Sequence, residues 1–419
     1  MTELLNQLPI VFSQSFKITL VFLVISSPFL LGYLFFSSWL KYIRTRYIFN
    51  QDYILLEIKM PREINKSPLG MEVFLMSLYQ TGAVTYTDTY IGGKIKPWFS
   101  LEIVSQGGEV RFFIWSPAKY KNMIESQIYA QYTDVEIYEA DDYTTAIKNG
   151  QENLDMWGTY YKLVSKDVFP IKTYVDYGLE KETKEEEFKV DPFAAVIEYL
   201  GSMKEGEQVW IQILIQAHKK EGLREGRLFK KPDWKNEAKR EVKKIQESLM
   251  LDSAHMRMMT KSEEEKIIAI ERSLSKFAFD CMIRAFYIAK KESFSEIAIP
   301  GLIGSVRQYN SNNLNGFKLG LYTDHTDNEK DWIGIGQVLF PPLKKIMSKR
   351  RAKMEYLMLE AYKMRSFFQP PYKNYRAKPF ILTTEELATI YHFPGKVATT
   401  PTLPRIGSRK AKPPPNLPV

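Results

Sequence analysis

The chain contains very little cysteine and histidine, and this scarcity limits the chemistry it can perform. Cys281 is the single cysteine among 419 residues, and it lies inside an apolar run. An internal disulfide and a metal cage of thiolates are therefore excluded, and Cys281 is predicted to be a small core residue. No two of the four histidines stand at the i, i+4 spacing of a helical zinc site, so we predict no metal.

The motifs of common nucleotide-dependent and hydrolytic enzymes are also absent. The phosphate-binding pattern G-x-x-x-x-G-K-[ST] does not occur. Gly334-Ile335-Gly336 lacks the third glycine of a dinucleotide fingerprint, and there is no G-x-S-x-G nucleophile elbow. We therefore predict that the chain is not an enzyme and carries no catalytic residue and no cofactor.

Charge is missing from one long stretch near the N-terminus, which follows a short segment of residues 1–17. From Ile18 to Trp39 there are 22 residues and no charged side chain. At about 1.5 Å per residue a helix of this length crosses ~30 Å of hydrocarbon. The run is too long for a signal peptide, and no small-x-small cleavage site follows it. We predict a transmembrane helix over residues 18–40.

Basic residues on the two sides of this stretch predict its orientation. Lys17 is the single positive side chain before it, whereas Lys41, Arg44 and Arg46 follow it closely. By the positive-inside rule the N-terminus lies outside and the rest of the chain lies in the cytoplasm. The sequence thus predicts a single-span signal anchor of the inner (cytoplasmic) membrane, with membrane lipid as its first partner.

The remaining chain alternates strand and helix signals that predict an α+β fold. Residues 50–145 have the order βαββαβ of a ferredoxin-like unit, with a hairpin at Gly107-Gly108. Residues 165–325 repeat this order, interrupted by a helical insertion over 218–275. The predicted elements of the second unit are the strands Ile171–Tyr177, Val209–Gln216, Phe277–Ala289 and Phe317–Leu321 and the helix Pro192–Met203.

The last part of the chain predicts a helical segment followed by a tail. Within residues 340–395, Thr383 and Glu386 form a capping box that opens a short helix. Residues 396–419 are rich in proline and basic side chains, a composition typical of a linker.

Positive charge is concentrated in the insertion. Between Lys219 and Lys244 there are eleven Lys and Arg against five Asp and Glu, within a chain of net charge +9. Such a run indicates either a solvated helix face or a surface for polyanions. The candidate polyanion-binding residues are Lys230, Lys231, Lys239, Arg240, Lys243 and Lys244.

Several stretches together resemble a known family. They are MPREINKSPLGMEVFLMSLYQTG from Met60, PWFSLEIVSQGGEVRFFIWSP from Pro97, QIYAQYTDVEIYEADDY from Gln127, TTEELATIYHFPG from Thr383 and the closing RIGSRKAKPPPNLPV. These resemble the membrane-anchored, non-motor N-terminal region of type IV secretion or conjugative-transfer ATPases, of the TraG-like and HerA/FtsK-like kind found in candidate-phyla bacteria. In that family an ATPase domain usually follows the proline-rich stretch.

The resemblance implies a function in secretion or DNA transfer. We expect the cytoplasmic module to anchor or dock a separate Walker-type ATPase supplied by another chain, and homo-oligomerisation is a further expectation. The alternative is a membrane-tethered protein that binds nucleic acid by weak electrostatic contact through its basic insertion.

Overall fold

One antiparallel β-sheet organises the chain after its N-terminal helix. The computed structural model describes residues 2–61, 66–82, 84–148, 153–180, 190–226, 233–248, 258–323, 341–369 and 377–394. The strands in these ranges are β1 Tyr53–Lys59, β2 Phe99–Gln106, β3 Glu109–Pro117, β4 Glu136–Glu139, β5 Leu154–Leu163, β6 Glu207–Ala217, β7 Ala278–Lys290, β8 Phe317–Tyr322 and β9 Phe380–Thr383. The strand order is β4-β1-β3-β2-β6-β7-β5-β8, and β9 pairs with the beginning of β7.

Helices cover both faces of this sheet. They are α1 Thr2–Phe49, α2 Leu69–Ser77, α3 Tyr86–Tyr90, α4 Lys121–Gln131, α5 Pro192–Gly201, α6 Trp234–Ser248, α7 Lys261–Leu274, α8 Ala298–Ser305, α9 Pro341–Lys363 and α10 Thr384–Ile390. Helices α2, α4, α5, α8 and α10 contribute to the larger core on one face. The opposite face is covered by the end of α9 and by Phe367 and Phe368. The protein is therefore a mixed α+β structure with an antiparallel sheet, as the sequence predicts.

The alternation in β6 is confirmed. Val209, Ile211 and Ile213 lie in the larger core, whereas Trp210 and Leu214 lie in the core on the opposite face. Because successive side chains of a strand point to opposite faces, a central strand that is buried on both sides needs apolar residues at nearly every position. The pairing of β6 with β2 and with β7 joins the two halves of the sheet.

The predicted hairpin between β2 and β3 is also confirmed. Gln106 is paired with Glu109, and the two glycines between them have φ angles of 60° and 88°. Two consecutive positive φ angles define the tight turn that matches the twist of a β-ribbon, and glycine adopts them without steric cost.

The predicted strand over Ile171–Tyr177 is wrong, because these residues form turns and the strand that occupies this place in the sheet is β5. The backbone N–H groups of Ile171 and Tyr174 donate to the side chains of Glu386 and Thr389 instead of to a neighbouring strand.

The capping box at Thr383 and Glu386 is confirmed, although the four-residue strand β9 before it was not predicted. The proline-rich tail over 396–419 lies outside the described residues.

Helix α1 is the one helix in the described parts of the chain that is long and apolar enough to cross a membrane. The candidate span is Thr19–Phe49, with a mean hydropathy of 2.1 in its most apolar window. Apolar side chains along it are exposed, and Phe29 is 78% exposed. A helix that leaves this much apolar surface unburied is unlike the core helices of the sheet domain.

Candidate functional site

The last turns of α1 are attached to two short segments of the sheet domain. The Trp39 indole Nε1–H donates to the carbonyl oxygen of Tyr90 at 2.8 Å. The Arg44 guanidinium Nη2 donates to the carbonyl oxygen of Glu225 at 2.7 Å. We call the two segments, residues 86–93 and 222–226, the collar. It includes α3 and a single 3₁₀ turn, Leu223–Glu225.

The collar is held together by its own hydrogen bonds. The Thr89 hydroxyl donates to the carbonyl oxygen of Arg224 at 2.6 Å, and the Tyr90 hydroxyl donates to that of Leu223. Gly93, with φ of 66°, lies so close to α1 that a Cβ atom there would be 2.3 Å from the Ile43 carbonyl oxygen. The backbones of the collar and α1 are therefore in direct contact.

The predicted membrane-flanking basic residues fall at this junction. Arg44 is partly buried against the collar, whereas Lys41 and Arg46 are exposed on α1. In the sequence, these three residues indicate only the orientation of the helix, through their positive charge. The structure adds that Arg44 also attaches the helix to the domain.

Four of the six candidate polyanion-binding residues lie together on α6. Lys239, Arg240, Lys243 and Lys244 are exposed, while Trp234, Ala238 and Val242 pack against α7 in a small third core. The spacing i, i+1, i+4 and i+5 places the four basic residues in one stripe. Lys230 and Lys231 lie outside the described residues.

Carboxylates on and near α6 offset part of this charge. Glu241 pairs with Lys166 at 2.6 Å and with Lys244 at 3.1 Å. Lys243 and Glu247 form a looser i, i+4 pair at 3.5 Å. The hydrogen bond from Lys166, more than the burial that opposes it, lowers the pKa of Glu241. The stripe therefore presents less net charge than its four cations alone would.

A row of buried polar side chains crosses the middle of the sheet and was not predicted. Glu102, Gln212 and Arg284 occupy register-paired positions on the neighbouring strands β2, β6 and β7, and all three are fully buried. The Gln212 Nε2–H donates to Glu102 Oε1 at 2.7 Å, and the Arg284 Nε–H donates to Gln212 Oε1 at 2.6 Å. We call these three residues the polar row.

Arg365 connects the polar row to the chain that follows α9. Its Nε and Nη2 groups donate to the two carboxylate oxygens of Glu102 at 3.0 and 3.1 Å. Its guanidinium also pairs with Asp142. Arg365 has a φ of 46°, a left-handed conformation that closes the end of α9. Because planar guanidinium and carboxylate groups match in two parallel bonds, the pair fixes the direction as well as the position of Arg365.

The electrostatics of this cluster follow from burial and pairing. Burial lowers the pKa of Arg284. Burial would also lower the pKa of Arg365, but Glu102 and Asp142 more than offset it and the pKa is raised. In the same way burial raises the pKa of Asp142, but Arg365 more than offsets this and the pKa is lowered. The pairing of Asp142 with Arg365 therefore favours the charged forms of both. We call Glu102, Asp142 and Arg365 together the clamp.

A signal for the polar row was present in the sequence. Glu102, Gln212 and Arg284 are long polar residues in the interior of the mostly apolar strands FSLEIVSQ, EQVWIQILIQA and AFDCMIRAFYIAK. An ionisable side chain at a position buried on both sides of a sheet must find a partner. The partner could be identified only once the strand register was known.

The larger core contains a cavity of about 30 Å³ between β6, β7, α5 and α10. It is lined mainly by apolar side chains, but Tyr161 and Tyr309 are among its walls. A cavity of this size holds about one water molecule. In the described parts of the chain, no group of three or more His, Cys, Asp or Glu side chains could hold a metal ion.

Fold and site together define an α+β protein whose N-terminal helix is long and apolar enough to cross a membrane. This helix is bonded directly to the sheet domain, and the domain contains a buried ionic cluster. The chain belongs to the family described as "Domain of unknown function (DUF8128)", whose model matches residues 54–404. The match covers the sheet from the second residue of β1 to β9 and includes the collar, the insertion and the polar row. A comparison with curated proteins found no match.

Proposed function

We propose that this protein is a single-span inner-membrane anchor whose cytoplasmic domain docks an ATPase carried on another chain. The observation that carries the proposal is the junction of α1 with the collar. The helix continues from its exposed apolar part into the contacts of Trp39 and Arg44 with the domain, without an intervening linker. A domain held in this way keeps a defined position relative to the bilayer, which a docking platform requires.

Two ferredoxin-like units form the platform in this proposal. The strand order β4-β1-β3-β2 in the first half is repeated as β8-β5-β7-β6 in the second half. In each half the first and third strands are central neighbours, which is the order of a split βαβ arrangement. The halves meet through the β2–β6 pairing, and α6 and α7 are inserted between β6 and β7.

The resemblance to the non-motor region of secretion and conjugation ATPases supports the identity of the partner. A separate Walker-type ATPase would supply the nucleotide chemistry for which this sequence has no motif. The clamp between Arg365 and Glu102 supports the docking role physically, because it fixes α9 on the sheet and keeps the platform rigid.

Anchoring is tested by extracting membranes with alkaline carbonate after expression of the full chain. We expect the protein to stay in the membrane pellet. Two lysines placed in the exposed apolar part of α1, Leu23→Lys and Phe29→Lys, should release it. A lysine costs about 2.5–3.5 kcal/mol at the centre of a membrane helix, where Phe29 lies, and Leu23→Lys adds to that cost. Lysines at the exposed positions Asp134 and Ile297 provide the matched control. Release of the unchanged protein would contradict the anchor.

Docking is tested by first searching the genes beside this chain's for a Walker-type ATPase and then purifying that ATPase; the absence of such a gene would count against docking. The full chain in lipid nanodiscs should bind this ATPase with modest salt dependence, and empty nanodiscs should not. Reversing the charges of the α6 stripe tests whether the insertion is the contact surface. An ATPase that binds empty nanodiscs equally well would remove the support for docking.

The basic stripe on α6 favours one alternative, binding of nucleic acid. Titration of the nanodisc-held chain with duplex DNA at two salt concentrations separates the two functions. Generic electrostatic binding has a Kd of about 10⁻⁴ to 10⁻⁶ M, and log affinity falls with log salt by about 0.9 for each phosphate contact. We expect binding of this weak kind. Tight binding that is lost when Lys239, Arg240, Lys243 and Lys244 become Ala would make nucleic-acid binding the function.

A further inference from the structure

The collar exposes large apolar side chains beside the end of α1. Ile91 is 73% exposed, Leu223 is 55% exposed and Tyr86 is 54% exposed. They come from two segments far apart in the sequence, which the hydrogen bonds of Thr89 and Tyr90 bring together. Exposed apolar groups that lie next to one another mark a surface that contacts a partner or a membrane.

The height of this surface along α1 is fixed by direct contacts. The ring of Tyr90 lies against that of Phe36, with 5.5 Å between the centroids, and its carbonyl oxygen accepts the Trp39 indole bond. Phe36 and Trp39 form the last turn of the uncharged run. That run is about 33 Å long as a helix, slightly more than the ~30 Å of hydrocarbon it would cross. The collar therefore lies at the level where the helix leaves the hydrocarbon.

The side chains around the collar are those found at lipid headgroups. Tyr42 and Trp39 are aromatic residues exposed on α1, and Lys41 is exposed beside them. The Arg224 guanidinium lies 5.9 Å from the centroid of the Tyr86 ring. Tyrosine and tryptophan with neighbouring cations are characteristic of the bilayer interface, where one end of the side chain is apolar and the other is hydrated.

The collar cannot slide along α1 away from the end of the uncharged run. The close contact of Gly93 with the Ile43 backbone leaves no room for it to slide along α1. Leu40, Ile43 and Ile48 are buried on the domain side of the helix, which holds the same arrangement over more than two turns. Insertion of α1 into a bilayer would thus bring Ile91 and Leu223 to the headgroups.

We propose that the collar is an interfacial membrane-binding surface, with Tyr86, Ile91 and Leu223 inserted among phospholipid headgroups beside the transmembrane helix. The inference rests on the proposed function, because it assumes that α1 spans the membrane. A phospholipid surface is preferred to a protein partner because the apolar patch is continuous with the span and lies at the depth of its last turn. The domain would then be held to the bilayer by a second contact that restricts its tilt.

The test measures the depth of four labelled positions in the full chain reconstituted in vesicles of phosphatidylcholine and phosphatidylglycerol. Single cysteines carrying an environment-sensitive fluorophore are introduced as Ile91→Cys, Leu223→Cys, Phe29→Cys and Ile297→Cys. The native Cys281 is fully buried, so labelling is selective for the new positions. Nitroxide lipids quench the fluorophore either near the headgroups or near the bilayer centre. Ile297 is 82% exposed and follows Ser295, which bonds Tyr287 near the opposite end of the sheet.

We expect shallow nitroxides to halve the emission from Ile91→Cys and Leu223→Cys or reduce it further, and to leave Ile297→Cys unchanged. Deep nitroxides should quench Phe29→Cys most strongly. Quenching at Phe29 without quenching at Ile91 and Leu223 would overturn the interfacial collar and leave the anchor intact. Absence of quenching at Phe29 would overturn the anchor and the collar with it. Equal quenching at Ile297 would show that the domain lies on the bilayer non-specifically, and would also overturn the proposal.

Discussion

At the scale of single residues, the buried pair of Arg365 and Glu102 fixes how α9 packs on the sheet. The rest of this core is mostly apolar. Apolar contacts between α9 and the sheet would allow several similar packings. The two parallel bonds between Arg365 and Glu102 allow one, because both ions lose water and each must keep its partner. We expect this buried pair to add specificity of packing more than stability.

Removal of one member of this pair should therefore be costly. Arg365→Met leaves the Glu102 carboxylate without its countercharge, and we expect a loss of about 3–5 kcal/mol in the free energy of unfolding. The measurement is denaturant unfolding of the full chain in detergent, followed by tryptophan fluorescence. The double variant with Glu102→Gln should recover part of the loss.

The matched control for this prediction is an exposed ion pair. Lys121 and Glu139 are 2.8 Å apart and largely in solvent, so Lys121→Met should change the free energy of unfolding far less than Arg365→Met does. Equal losses for Arg365→Met and Lys121→Met would show that the buried cluster does not hold the domain together.

Asp167 gives a second prediction at this scale, one that concerns pH. Burial is the largest influence on its carboxyl and raises the pKa to about 6, with the negative charges of Glu237 and Asp280 adding to the shift. The folded protein then binds this proton more tightly than the unfolded chain does. The stability gained from protonated Asp167 is fully present below ~3.9, the pKa of this side chain in the unfolded chain. It is lost as the pH rises through about 6, its pKa in the folded protein.

Asp167→Asn should remove the pH-dependent part of the stability that comes from this carboxyl group. Wild-type stability should decline relative to the variant between about pH 4 and 6, by no more than ~3 kcal/mol. Asp134→Asn, at an exposed position, is the control for the loss of a surface carboxyl group. A constant difference between Asp167→Asn and the wild type across this pH range would contradict the prediction.

At the scale of elements, local patterns and distant contacts contributed differently to what could be predicted. The alternation of β6, the glycine hairpin and the capping box at Thr383 are local, and all three were predicted correctly from the sequence. The segment Ile171–Tyr177 has the apolar content of a strand, but its backbone donors bond to side chains more than 200 residues away. A local sequence pattern contains no information about a hydrogen-bond partner so far away in the chain.

The candidate site shows the same division. The basic residues of α6 share a face because of helical periodicity, which the sequence contains. The collar and the cluster around Arg365 each join segments separated by more than 100 residues. Their formation depends on strand register and helix packing, and those follow from the whole fold.

The contact between the collar and α1 gives a prediction at this scale. Gly93 and Gly178 both have positive φ, at 66° and 70°, but only Gly93 faces a neighbouring backbone. An alanine at either position loses about 1–2 kcal/mol to the left-handed conformation. Gly93→Ala should lose a further 1–3 kcal/mol, roughly the cost of overpacking, because its Cβ would collide with Ile43.

Both variants are compared by denaturant unfolding of the full chain in detergent. If Gly93→Ala and Gly178→Ala were equally destabilised, α1 would not be packed against the collar in solution. A larger loss for Gly93→Ala alone would establish the close approach independently of any bilayer.

At the scale of the whole molecule, orientation decides which partners the domain can reach. Three basic residues follow the apolar run and one precedes it, so the domain should remain on the cytoplasmic side. A fluorescent reporter fused after Val419 should be active in intact cells, and alkaline phosphatase at the same point should be inactive. Phosphatase activity in the unchanged chain would place the domain outside and exclude a cytoplasmic ATPase as its partner.

The charge distribution can also be reversed without disturbing the junction. Arg44 is kept because it bonds the collar, while Lys41→Asn and Arg46→Asn remove two charges after the span. Asn6→Lys and Gln14→Lys add two before it, so the bias of three to one is inverted. Because lysine and arginine near a span set its direction, a substantial fraction of the phosphatase fusion should become active. The neutral changes Asn6→Gln and Gln14→Asn should leave it inactive. If the inverted variant behaved like the neutral control, the contacts of the domain rather than the flanking charges would determine topology.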